Sequence, residues 1–215
     1  MKIIDINNWK GKKHYLWFKK YPAHYYSVTS KIDITKFITY IKTNNLPFFI
    51  SLIYLVTKAL NQIEEFRLRE VNNEVVLYDV IHPAYTVMTD SGVYDNCDNN
   101  YFDNYQDFKV AAEKAINKAK IGVREDTSYN DYSRLDQFYI SSLPWIDFTS
   151  VTQPMPDDAT ITVPRIVWGK YHQVDDKVML TISIQVSHML VDGYPLSCGF
   201  IKIQELLNEP ERHLH

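Results

Sequence analysis

The chain has 215 residues, 46% of them hydrophobic, enough to bury a sizeable core and too many for a disordered tail. It has only 6 glycines, and neither G-x-G-x-x-G nor G-x-x-x-x-G-K-S/T occurs, which argues against nucleotide chemistry of the Rossmann or P-loop kind. A net charge of −3, with cations spread along the chain, argues against a nucleic-acid surface; the cluster Lys10, Lys12, Lys13, Lys19, Lys20 reads as a solvated face, although anionic cofactors also favour such places.

Asp33 is placed to cap a helix whose apolar residues Ile34, Phe37, Ile38 and Ile41 share one face. A more buried helix is expected from Pro47 to Phe66, a third around Phe108, Ala111, Ala112, Ala115 and Ala119, and a fourth from Phe200 to Leu207. Between them Val75–Val80, Ala84–Met88, Gln137–Ser141, Arg165–Tyr171 and Val178–Val186 read as strands, with His172–Lys177 as the loop of a hairpin. Helices and strands interleave without strict βαβ order. The expectation is a single α/β domain over residues 1–215, a mixed sheet with helices packed on it.

Cys97 and Cys198 match no zinc or C-x-x-C spacing, and lone thiols point to a reducing compartment. The start Met1-Lys2-Ile3-Ile4-Asp5 lacks a signal-like apolar stretch, and the run Phe48–Val56 is too short to cross a bilayer, so a cytoplasmic protein without membrane association is expected. Of the 16 tyrosines, Tyr15, Tyr21, Tyr25 and Tyr26 cluster densely enough to line an interface or an apolar pocket.

Seven histidines are present, and His188 differs from the rest by its neighbours. It follows the alternating run 178–186 and precedes Met189-Leu190-Val191-Asp192-Gly193, where a buried strand ends and the chain turns. There it reads either as a satisfied strand-end histidine or as a base with one ring nitrogen held locally and the other facing a substrate proton. Asp192 and Gly193 are read as making the turn, with glycine tolerating positive φ. Ser141 and Ser142 stand at the end of a second strand that Pro144 terminates, and serve either as strand-end hydrogen-bonders or as an oxyanion donor.

The residues Asn8-Trp9, Thr29–Thr35, Asn61-Gln62, Glu65-Phe66-Arg67, Tyr85-Thr86-Val87, Gly169-Lys170-Tyr171, Ser141-x-Leu-Pro-Trp145 and Gln185-Val-x-His188-x-x-x-Asp192-Gly193 resemble the chloramphenicol acetyltransferases over nearly the whole chain. His-x-x-x-Asp-Gly alone is shared by several coenzyme-A and carrier-protein acyltransferases; joined to Ser-x-Leu-Pro-Trp 47 positions upstream it is specific. The resemblance implies a homotrimer with active sites at subunit interfaces, acetyl-CoA as co-substrate, no metal, and direct transfer to an alcohol, with chloramphenicol as the leading acceptor. His188 would be the general base and Ser141 the oxyanion donor. Asp192 and Gly193 would order the site, and Tyr171 would neighbour the adenine of coenzyme A. The alternatives are the same chemistry on another hydroxyl acceptor, or a trimeric binding protein of this fold without turnover.

Some positions depart from that family's pattern. Ser187 stands where a histidine precedes the catalytic one, and Tyr194-Pro195 follow the glycine. The arginine that pairs with the aspartate is replaced within Lys10-Gly11-Lys12-Lys13, leaving Asp192 either Lys12 or backbone donors. The acceptor pocket is expected to draw on Trp17 and Phe18 from an N-terminal strand, with His24, Tyr25, Tyr26 and Tyr139 bulkier or more polar than usual, and with Val151 and Val167 also altered. Acyl transfer is expected to persist behind a remodelled acceptor pocket.

Overall fold

The computed structural model describes residues 1–121, 134–155 and 159–215. Along these run β1 (Lys2–Ile3), α1 (Lys12–Phe18), β2 (Tyr25–Asp33), α2 (Thr35–Thr43), α3 (Phe48–Asn61), β3 (Leu68–Val71), β4 (Glu74–Leu77), β5 (His82–Met88) and β6 (Tyr94–Asp98). Then follow α4 (Tyr105–Lys120), β7 (Gln137–Leu143), β8 (Arg165–Gly169), β9 (His172–Val174), β10 (Lys177–Ser187) and α5 (Gly193–Asn208). The main sheet is ordered β2-β10-β8-β7-β5-β6, with β9 paired to β10; β1, β4 and β3 form a smaller sheet. Strands β5, β7 and β8 are parallel and the other pairings antiparallel, so the mixed α/β sheet expected from the sequence is present.

Strand β10 organises the core. Leu180, Ile182, Ile184 and Val186 face the helices and are at most 1% exposed. They join Phe138 and Ile166 of the sheet with Phe37 of α2, Leu52 of α3, Phe108 of α4 and Ile203 of α5 in one apolar cluster. Helix α5 is tied to the β2–α2 junction by Gln204, whose side chain accepts from the Asp33 amide at 2.9 Å and donates to the Asp33 carbonyl at 2.7 Å. The N-cap of α2 is Ile34 and not Asp33 as expected; Asp33 stands one residue earlier, with Oδ1 accepting from the amide (3.0 Å) and hydroxyl (2.6 Å) of Thr35.

Several boundaries differ from the sequence reading, each for a local reason. The helix expected to reach Phe66 stops at Asn61, whose side chain bonds the Thr57 carbonyl of its own helix at 3.1 Å and the amide and carbonyl of Ile81, both at 2.8 Å. The expected Val75–Val80 strand instead runs Glu74–Leu77, and it joins the small sheet through a hairpin turned by Asn72 (φ 51°) and Asn73 (φ 68°). His172–Val174 pairs with β10, which narrows the expected loop to a turn at Asp175 (φ 51°) and Asp176. Helix α5 begins at Gly193 and not at Phe200, because the Asp192 carboxylate caps it. Trp17 and Phe18 close helix α1 instead of lying on a strand, since Tyr15 and Phe18, three residues apart, turn the same helical face inward.

Arg69 of β3 is fully buried with backbone acceptors only. Its guanidinium donates to the carbonyls of Leu135 (2.7 Å), Phe66 (2.9 Å), Leu68 (2.6 Å) and Gln137 (2.8 Å). Burial pushes its pKa down to about 9, so the cation persists at neutral pH and holds the small sheet against the start of β7. Arg69→Met keeps the volume but leaves four carbonyls unpaired; denaturant unfolding should show a loss on the order of 3 kcal/mol.

Candidate active site

His188 is the first residue beyond β10, and its amide donates to the His24 carbonyl at 2.6 Å, extending the β2–β10 pairing by one step. The ring stacks on Phe18 at 3.9 Å between centroids and lies against Tyr26 at 4.5 Å, with His14 parallel to it at 6.5 Å. These rings bury Nδ1, which has no hydrogen-bond partner among the described residues. A nitrogen shut off from water cannot exchange a proton freely, so Nε2 is the nitrogen through which this imidazole can act. Tyr26, its hydroxyl pushed up to about 12 by burial and then by the Asp192 carboxylate, stays neutral.

The turn after His188 is built from backbone bonds. Leu190 and Val191 amides donate to the Ser187 carbonyl at 3.1 and 3.0 Å. Asp192 Oδ1 then accepts from the Tyr194 amide at 3.0 Å and starts α5. Of the two partners left open for Asp192, the structure shows the backbone donor, the Tyr194 amide, while Lys12 Nζ bonds Asn7 at 3.0 Å. Lys10 instead pairs with Glu65 at 2.9 Å and Lys19 with Glu70 at 2.7 Å, so the N-terminal lysines are consumed largely by local partners. The reading of Gly193 is corrected: its φ is not positive, and an added Cβ would meet nothing within 4 Å in this chain. The turn therefore does not require glycine; the space above it is simply open.

A cleft of about 270 Å³ opens beside His188, lined by Trp9, Gly11, His14, Leu190, Asp192 and Tyr194 among others. This is slightly smaller than the usual small-molecule site. The Trp9 ring packs over Gly11 so closely that an added Cβ, 2.4 Å from it, would force the ring to move.

Of the remaining predicted residues, His24 joins His188 through its carbonyl and through Nδ1, which lies 2.9 Å from Ser187 Oγ. Tyr25 pairs with Ser187 across β2–β10. Trp17 does not join the group; it is 58% exposed, with Lys20 Nζ 6.0 Å from its ring. Ser141, Tyr139 and Tyr171 lie elsewhere. Ser141 is opposite Val167, which is opposite Ser183, so it sits two strands across from β10 and five residues short of His188. At about 4.8 Å per strand and 3.3 Å per residue, the separation is roughly 19 Å. Ser141 Oγ instead meets Thr86 Oγ1 at 3.1 Å, and Arg165 lies over the Tyr139 ring at 5.4 Å. Tyr171, beyond β8, packs on Phe48 at 5.4 Å. Sequence reasoning missed Thr86 and His14 as site residues; both are identified only by their contacts across strands and helices.

The profile of the family described as "Chloramphenicol acetyltransferase" matches residues 1–204. Chloramphenicol acetyltransferases of Clostridium perfringens (30% identity, covering 99% of this chain and 97% of the relative) and Bacillus pumilus (31%, 90% and 87%) are among its similar relatives. A solved chloramphenicol acetyltransferase superposes with a TM-score of 0.85 at 24% identity, over 96% of this chain and 99% of the other. The dihydrolipoamide acetyltransferase of Azotobacter vinelandii has the same fold, with a TM-score of 0.70 at 17% identity over 95% and 89%.

Two predictions follow from this geometry. Gly193→Ala should leave thermal stability unchanged or raise it by up to about 1 kcal/mol, because alanine is the better helix residue and meets no obstacle; Asp192→Ala, which removes the cap, should cost about 1 kcal/mol. Burial lowers the pKa of His24, His82 and His213 below the ordinary 6.5. The unfolded chain then takes up these protons at a higher pH than the native one, so the melting temperature should fall as pH drops below 6.5. A calorimetric series across that window checks it, and His82→Asn should flatten the slope.

Proposed function

The chain belongs to the chloramphenicol acetyltransferase family, and from that premise we propose that it transfers the acetyl group of acetyl-CoA to a hydroxyl of chloramphenicol within a homotrimer of cytoplasmic location. The observation that carries the mechanism is the stacked imidazole of His188, with Nδ1 buried at the mouth of a cleft. Its Nε2 takes the proton of the acceptor hydroxyl as that oxygen attacks the thioester carbonyl. The tetrahedral oxyanion takes a hydrogen bond from the Ser141 hydroxyl, which Thr86 orients. Collapse expels the coenzyme thiolate, which takes the proton back from the imidazolium and leaves the acetate ester. Acid–base help of this kind is worth on the order of 10² to 10⁴ in rate, and holding both substrates together supplies much of the rest.

The separation of roughly 19 Å supports the oligomer. Ser141 and His188 of one chain cannot touch the same carbonyl, so a site that uses both takes Ser141 from a second copy. The small cleft of about 270 Å³ accords with a site completed across an interface. Tyr171, 40% exposed, is free to stack on an adenine ring presented from outside.

Purified protein with acetyl-CoA and chloramphenicol should release free thiol, and His188→Ala should lower kcat by at least about 10². Ser141→Ala should lower it by roughly 10² to 10³. Refolding the two inactive variants together should restore part of the activity, since some mixed interfaces then carry both an intact Ser141 and an intact His188. Absence of any recovery, with mixed oligomers demonstrated, would exclude a shared site. Thiol release with another alcohol and none with chloramphenicol would reassign the acceptor and leave the chemistry in place.

A further inference from the structure

The polar face of β10 is a ladder of side-chain pairs. Thr181 donates to Asp147 at 2.6 Å, Ser183 accepts from Thr29 at 3.0 Å, Gln185 accepts from Ser27 at 3.0 Å, and Ser187 meets His24 Nδ1 at 2.9 Å. The last rung differs from the others because it stands directly before His188. His24 grips this point twice: its carbonyl takes the His188 amide at 2.6 Å, and its ring takes the Ser187 hydroxyl. Ser187 Oγ in turn accepts from the Met189 amide at 3.3 Å, so the same hydroxyl also holds the residue after His188. Ser187 is 1% exposed, and this chain has serine there where the family pattern has histidine.

We propose that His24 is a positioning residue for His188, acting through Ser187: an imidazole on β2 fixes the serine hydroxyl, and the serine fixes the backbone on either side of the base. With Ser187 donating to Nδ1, the resting His24 ring carries its proton on Nε2, and Ser187 Oγ keeps a lone pair for Met189. Burial, which lowers the His24 pKa, keeps the ring in this neutral form at pH 7. Removing either side chain leaves the His24 carbonyl as the one remaining hold and loosens the backbone step that aims the His188 ring against Phe18 and Tyr26. Displacement of a reacting group by even 1 Å is enough to cost on the order of 10²-fold in rate.

This inference rests on the proposed acyl transfer, and its test separates the two. His24→Leu and Ser187→Ala are each expected to lower kcat by roughly 10- to 100-fold with KM for acetyl-CoA within about twofold, the double variant being no worse than the poorer single one. His24→Asn, whose side-chain amide can place an acceptor near the Nδ1 position, should recover most of the loss. Unchanged kcat in both single variants would overturn the proposal, as would equal damage in His24→Asn and His24→Leu. If the unaltered protein turns over no acceptor at all, the acyl-transfer reading fails on its own. The ring-proton resonances of His188, assigned with His188→Ala, then decide: a shift on His24→Leu upholds the positioning role, and superimposable spectra end it.

Discussion

Burial of both faces of β10 is the constraint on which the rest of the structure depends. On one side Leu180, Ile182, Ile184 and Val186 close the apolar core; on the other, Thr181, Ser183, Gln185 and Ser187 are 4% exposed or less and each has a side-chain partner. A slip of one residue against β2 would drive four polar groups into the helices and four aliphatic ones onto polar partners, so only one register survives. That register runs unbroken from Met179–Asp33 to Ser187–Tyr25, and it sets where the strand releases His188.

The ends of β10 are fixed by different means. At its beginning, Val178 donates to the Thr35 hydroxyl at 2.9 Å and Lys177 reaches Asp33 at 3.3 Å, locking the strand to the head of α2. The Thr35 bonds, and after them Lys177, hold the Asp33 carboxyl below its usual range. At the far end, the Ser187 carbonyl and the Asp192 carboxylate convert extended chain into helix α5 within a few residues. The imidazole thus projects from the junction of two rigid elements, where it keeps one orientation. Stacking on Phe18 adds a wall from α1, so three parts of the fold meet at one ring.

Ser141, the oxyanion donor of the proposed reaction, sits on a separate part of the same sheet. Ser141 belongs to the parallel trio β5, β7 and β8, and its hydroxyl is aligned by Thr86 from the neighbouring strand. Strand spacing alone keeps it far from His188, so the two groups meet only if two copies of the sheet face each other.

The alternation of β10, the helical face of Ile34, Phe37, Ile38 and Ile41, and the strand stop before Pro144 were legible in the sequence because each is set by local periodicity or by a single breaker. The position of His188 at a strand end was legible for the same reason. Helix α1 was not, because its short apolar face shows only once Tyr15 and Phe18 have something to pack against. Nor was strand β2, an edge strand whose residues are mostly part-exposed and whose pairing is decided by β10. Asp192 illustrates the limit: its residue type marks it as a cap, but that its partner is the Tyr194 amide shows only once helix α5 is in place. His188 and Ser141, the residues proposed to carry acyl transfer, were both legible as strand-end residues in the sequence itself. Which groups stand together, His188 with His24, Phe18 and Tyr26 but not with Ser141, was decided by the tertiary structure, since strand order and register are long-range properties.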